Sequence, residues 1–303
     1  MKILRNIILL PFLLCLCGCP EQTPFLHPDG SYAYRQAAEL SRIVPRHSGS
    51  EGAKRAAEQI ARVAGEIPGF RISTDIFEDR TPEGMITFRN VSAVLPGKSR
   101  DFIVIGAHYD AKKIASVPDF QGANDGGSGV GALLAVMKAL ADTKTVPPLE
   151  LRFVFFDGEE AQIFYTDHDG LHGSRRYVSE LRRTGELGQC RAMLLLDMVG
   201  DQDLKLRLPP DTDPILQNKI VRSAHELGYD DHLSLNGPQM LDDHTPFMQA
   251  GIPAADLIDF EYGPGNLYWH TAGDTVDKLS AKSLGTAAAI ALKTIRKLTG
   301  MEP

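Results

Sequence analysis

Leu151-Arg152-Phe153-Val154-Phe155-Phe156-Asp157-Gly158-Glu159-Glu160 joins an almost unbroken apolar run to a turn and a pair of carboxylates. A strand with one wet face alternates apolar and polar residues, whereas this run barely alternates, so it reads as a central strand covered on both faces. Two other runs share the pattern and also end in polar residues. Phe102-Ile103-Val104-Ile105 leads to His108-Tyr109-Asp110, and Met193-Leu194-Leu195-Leu196 leads to Asp197. Helical patterns lie between several such runs, which predicts α/β layering.

Outward from these runs, further extended stretches are expected at Phe70–Phe77, Ile86–Leu95 and Ala254–Ile258. Apolar spacing predicts helices over Ser31–Val44 and over Ser50–Ile67, the second capped by Ser48 or Ser50 with Ala57, Ile60, Ala61, Ala64 and Ile67 on one face. At the amino end, Lys2 and Arg5 precede the apolar stretch Ile7–Leu16, the layout of an export signal too short to span a bilayer. Leu16-Cys17-Gly18-Cys19 resembles the bacterial lipobox, which makes residues 1–18 a lipoprotein signal, Cys19 the lipidated residue and 19–30 a tether. An ordinary cleaved signal shares this layout, and either reading takes the protein out of the cytoplasm, facing the periplasm or the exterior. Residues 31–303 then form a single domain. The mature chain would keep only Cys19 and Cys190, too few for a disulfide framework, and Cys190 before a strand reads as a small buried apolar residue. A net charge of -7 without a basic run disfavours nucleic acid as a partner, leaving membrane contact to the lipid anchor.

Ligands in open α/β sheets gather beyond the carboxyl ends of the strands, where this chain places His108, Asp110, Glu159, Glu160 and Asp197. Gly122-Ala123-Asn124-Asp125-Gly126-Gly127-Ser128-Gly129 runs into a helix expected at Val130–Leu140 and presents Asp125 at its bend. It lacks the Gly-Lys-Ser/Thr ending of a phosphate cradle. Paired glutamates are commonly a wet surface and a lone histidine commonly a core residue. Together, however, carboxylates crowded at one face repel one another unless a cation lies among them, and imidazole with Asp and Glu suits zinc. Asp242-Asp243-His244 and Trp269-His270-Thr271 follow later, with His270 as the remaining imidazole ligand. Asp110, two residues beyond His108, is placed to orient that imidazole. His168, Asp169 and His172 read as loop residues rather than a second metal cluster.

These six motifs, in this order, resemble the superfamily of zinc aminopeptidases and glutaminyl cyclases over almost the whole chain after the tether. The resemblance implies a three-layer α/β/α sandwich with a mixed, mostly parallel central sheet, acting on peptides or proteins with a free amino terminus. In the aminopeptidase branch two zinc ions would be held by His108, Asp125 as the bridge, Glu160, Asp197 and His270, with Glu159 as base. In the cyclase branch Asp125, Glu160 and His270 would hold one zinc, and His108 and Asp197 need not bind a second. Three features resemble the cyclases: the long segment from Glu159 to Arg175, Asp242 where peptidases commonly carry serine, and Trp269 as a pocket wall. One departs, since Tyr165 stands in the substrate pocket where animal cyclases have a tryptophan. The cyclase likeness implies that zinc polarises the carboxamide of an amino-terminal glutamine while Glu159 moves the proton, with Asp197 and Asp242 sharing it. A surface binding lipoprotein without catalysis is a third possibility, at odds with the retention of Asp125, Glu159, Glu160 and His270.

Overall fold

The computed structural model describes residues 25–302, so the expected export signal and Cys19 lie outside the described residues. Phe25, within the expected tether, already packs on the core, its ring centre 5.3 Å from the Lys293 ammonium. Asp29 caps α1 (Gly30–Ser41) by accepting the Ser31 and Tyr32 amides. The helix stops short of Val44 because Pro45 disfavours helical backbone in the residue before it. In α2 (Glu51–Gly65) the Ser50 hydroxyl accepts the Ala53 amide, and Ala57, Ile60 and Ala64 are buried as the spacing predicts.

A hairpin follows, β1 (Arg71–Thr81) and β2 (Gly84–Leu95), turned at Gly84 with φ +107°. The chain then alternates: β3 (Phe102–His108), α3 (Ser128–Thr143), β4 (Glu150–Phe156), α4 (His172–Thr184), β5 (Cys190–Asp197), β6 (Leu206–Arg207), α5 (Pro214–Leu227), β7 (Leu233–Ser234), α6 (Thr245–Gln249), β8 (Ala254–Ile258) and α7 (Ala281–Thr299). The eight strands form one mixed sheet in the order β1-β2-β4-β3-β5-β8-β6-β7. Its middle, β4-β3-β5-β8, is parallel throughout, and antiparallel pairs flank it on both sides.

Alternate residues of the central strands feed two separate cores, as strands covered on both faces require. Ile103, Ile105, Phe153, Phe155, Leu194 and Leu196 pack with α1, α2, α3, α5 and α7. Phe102, Val104, Val154, Phe156, Met193 and Leu195 pack with α4 and α6 on the other side, completing three layers. Arg152, the one charge in the deciding apolar run, lies 3.6 Å from the Phe102 ring centre and bonds Glu150 and Glu186, each at 2.8 Å. Cys190 is buried, and burial pushes its thiol up to about 12, which leaves it unreactive. No described helix is long and apolar enough to cross a membrane.

One buried cation organises the loops behind the sheet edge. Arg46 is 1% exposed and donates to the carbonyls of Tyr109 at 2.7 Å, Gly122 at 2.8 Å and Leu40 at 3.2 Å. It thereby ties the end of α1 to the two loops that carry Asp110 and Asp125.

Candidate active site

The parallel register brings three strand ends to one edge. His108 closes β3 opposite Phe156 of β4, and Asp197 closes β5 opposite Ile258 of β8. The Gly122–Gly127 turn folds against them, and only a residue without a side chain fits at Gly126. Its φ is +83°, and a Cβ there would lie 2.4 Å from the Asp110 carbonyl oxygen. Met198 and His270 adopt left-handed backbone with φ of +50° and +52°, unfavourable for residues with a side chain, at the points where the chain aims Asp197 and His270.

Two groups with metal-ligand geometry result, and they share Asp125. One is His108, Asp125 and Asp197 and the other is Asp125, Glu160 and His270, with the donor atoms in each group within 4.8 Å of one another. His270 Nε2 lies 3.1 Å from both Asp125 Oδ2 and Glu160 Oε1, while His108 Nε2 lies 3.3 Å from Asp125 Oδ1 and 3.1 Å from Asp197 Oδ1. His270 Nε2 bonds Glu160 Oε1 and His108 Nε2 bonds Asp197 Oδ1, while the buried Asp125 Oδ2 between the groups makes no hydrogen bond and is left for another partner. Imidazole and carboxylate donors converging in this way fit a metal ion. Without one, burial works against charge on both histidines, but the surrounding carboxylates outweigh it. His270 is raised to about 10 by Asp125 and Glu160, and His108 is held well above its ordinary value, chiefly by Asp197.

Beside these groups opens a cleft of about 210 Å³, lined by the acidic Glu159, Asp197 and Asp242 and by Tyr165, Met198, Met240, Phe260 and Trp269. Trp269 stacks on His270 with ring centres 4.1 Å apart and meets the Phe260 ring at 4.9 Å, so the expected pocket wall also braces the imidazole. Burial, reinforced by Asp242, pushes the Glu159 carboxyl well above its usual range. Burial and then Asp197 and Asp243 do the same to Asp242, and burial with Asp125 raises Asp197. Three carboxyl groups that hold protons tightly thus face one cleft.

Asp110 does more than the sequence implies. Its Oδ1 is 3.5 Å from His108 Nδ1, and its two oxygens accept the Glu159 and Glu160 amides at 3.1 and 3.2 Å, fixing the backbone of the glutamate pair. His168, Asp169 and His172 form no metal group among the described residues. Asp169 accepts the amides of Gln162, Ile163 and Phe164, and His172 stacks on Phe88 and bonds Asp79 at 2.8 Å.

Two supporting residues escape the sequence reading. Lys112 Nζ lies 3.2 Å from Glu160 Oε2 and donates to the Ala161 carbonyl. Asp274 accepts the Asn124 amide at 2.8 Å, the Asp125 amide at 3.2 Å and the Tyr262 hydroxyl at 3.0 Å, locking the Asp125 turn to the loop that carries His270. Nothing in a lone Asp before Thr275 announces this, because the two amides it holds lie about 150 residues away. Asp274→Ala should weaken metal binding roughly 10- to 100-fold, as loss of an outer partner of a ligand commonly does. Competition with a coloured chelator measures this, and unchanged affinity would show that the turn holds itself.

Residues 90–295, which contain all five of these donor residues, match peptidase family M28. A crystal structure of a glutaminyl cyclase from an Acidobacteriales bacterium superposes with a TM-score of 0.86 at 32% identity, covering 94% of this chain and 99% of that one. The glutaminyl-peptide cyclotransferase of Boiga irregularis is 27% identical over 287 residues, spanning 82% of this chain and 76% of the snake protein. Aminopeptidase YwaD of Bacillus subtilis is 30% identical over 219 residues, 70% of this chain and 43% of that protein. With the three-layer fold, the paired donor groups and a profile match over most of its length, the chain belongs to peptidase family M28.

Proposed function

We propose that this protein is a zinc-dependent glutaminyl-peptide cyclotransferase, converting an amino-terminal glutamine to pyroglutamate with release of ammonia. The observation that carries the reading is Asp242. It is buried in the cleft beside Glu159, it belongs to neither donor group, and it holds its proton well above the usual carboxylate range. Ring closure moves a proton from the attacking amine to the departing nitrogen within one small space, and a second proton-holding carboxyl beside Glu159 supports such a shared-proton path, with the resemblance of Asp242 to the cyclase position behind the choice. The 32% identity to a solved protein described as a glutaminyl cyclase, over nearly the full length, supports the same reading.

Asp125, Glu160 and His270 would hold the zinc, which when bound polarises the substrate carboxamide and stabilises charge developing on its oxygen. The α-amine forms the new C–N bond to that carbon, and the bond to the amide nitrogen breaks. Glu159 accepts the amine proton and delivers it to the leaving ammonia, while Asp242 and Asp197 share the proton in between. Trp269, Phe260 and Met240 exclude water from the glutamine stem, and an open mouth admits peptides or proteins with a free amino terminus. The amino-terminal residues support an exported lipoprotein held by Cys19.

A second reading, a di-zinc aminopeptidase, is favoured by the completeness of the His108, Asp125 and Asp197 group, and Glu159 would then activate water for hydrolysis. A paired assay on the zinc-loaded protein decides between them. Ammonia from a glutaminyl peptide without free amino acid is the expected result. Free amino acid from leucyl or alanyl peptides without ring closure would replace it with the peptidase, and silence in both would leave a binding lipoprotein.

A further inference from the structure

Within the cleft, Glu159 shares the lining with Glu160, Asp197, Asp242 and Tyr165. Its backbone is pinned by Asp110, yet among the described residues one side chain alone hydrogen-bonds its carboxylate. That is the Tyr165 hydroxyl, which donates to Glu159 Oε1 at 2.8 Å. Without such a donor, no described side chain would fix the direction of this carboxyl group within the cleft.

The segment that carries Tyr165 has no helix or strand of its own and is nevertheless firmly built. Asp169, 2% exposed, accepts three successive amides from Gln162 to Phe164. Thr166 and Asp169 close the turn with reciprocal backbone hydrogen bonds at 3.0 and 3.3 Å. Gly170 forms the seat of the tyrosine ring, since a Cβ there would lie 2.5 Å from Tyr165 Cδ1. Ile163 and Phe164 turn outward, 62% and 76% exposed, so Tyr165 alone of the three apolar neighbours is directed into the cleft.

We infer that Tyr165 is a positioning residue for the reaction: its hydroxyl, set by the Asp169-organised segment and the Gly170 seat, holds Glu159 aimed at the substrate. This rests on Glu159 as the base, which both readings of the function share. The ring bounds the pocket while the hydroxyl acts on the base, and these two roles separate experimentally.

Tyr165→Phe keeps the ring and removes the donor. The expected result is a fall in kcat of about tenfold, the scale of one hydrogen bond to a charged group, with KM within about twofold and zinc content unchanged. Glu159→Asp, whose shorter side chain cannot reach the hydroxyl, should be non-additive with Tyr165→Phe in a double-mutant cycle. An unaltered kcat, a rise in KM alone, or full additivity would each reduce Tyr165 to a pocket wall. A reading that needs no substrate accompanies the kinetics. The near-ultraviolet difference spectrum between wild type and Glu159→Ala should carry a tyrosine signature that vanishes when the same comparison is made in the Tyr165→Phe background. If the wild type turns over neither peptide, the functional reading fails, and the spectrum still decides the contact, its absence overturning the inference.

Discussion

Glu159→Gln is expected to lower kcat by roughly 10²- to 10⁴-fold while the protein keeps its full complement of zinc. The substitution is nearly isosteric, so the Tyr165 hydroxyl still finds an oxygen to bond and the amide pinned by Asp110 is untouched. What disappears is the capacity to take a proton from the attacking amine, or from water in the peptidase reading, and to pass it on. None of the donors Asp125, Glu160 and His270 is altered. Removing one carboxyl from beside Asp242 and Glu160 also relieves repulsion, so the variant should unfold no more readily than the wild type. Single-turnover kinetics with zinc determined on the same sample give the answer. A rate within tenfold of the wild type would remove Glu159 from the proton path and leave Asp242 as the base.

The parts of this site that were legible in the sequence are those fixed by local pattern. Continuous apolar runs marked β3, β4 and β5 as central because a strand covered twice has no polar side to show, and the residues just after such runs must lie at one sheet edge. A serine cap of α2 is legible for the same reason, as Ser48 or Ser50, and Ser50 takes the role with its partner three residues away. The supports were not legible. Asp274 and Arg46 act on backbone groups brought near only by folding, and a single Asp or Arg in a loop carries no periodicity to betray a partner. The short β6 and β7 have two residues each, below the length at which alternation can be read. Tyr165 was placed in the pocket by likeness to a tryptophan, but a tryptophan at that position carries no hydroxyl, so the bond to Glu159 came from geometry alone.

His270→Ala is expected to weaken zinc binding by more than about 100-fold and to abolish turnover with it, because only two carboxylates of that donor group remain and the loss of even an outer partner costs up to that much. Proton linkage makes the test specific. In the metal-free protein His270 is held at about 10, so at neutral pH it is protonated and must lose that proton to become a ligand. Zinc affinity of the wild type should therefore rise with pH, by about tenfold per unit for each proton displaced, up to the pKa of about 10. The variant should lose one proton from that slope, which calorimetry in buffers of different ionisation enthalpy measures directly. A slope unchanged in His270→Ala would mean that zinc binds elsewhere. His108 also carries a proton that a second metal must displace, since Asp197, Asp110 and Asp125 hold its imidazole well above the ordinary value. His108→Ala consequently separates the two readings without any substrate. Unchanged zinc stoichiometry and proton release mean that one ion sits on Asp125, Glu160 and His270, the count expected of the cyclase reading. Loss of one zinc together with one proton means that His108 and Asp197 hold a second ion, and the cleft is then built to cleave the peptide bond.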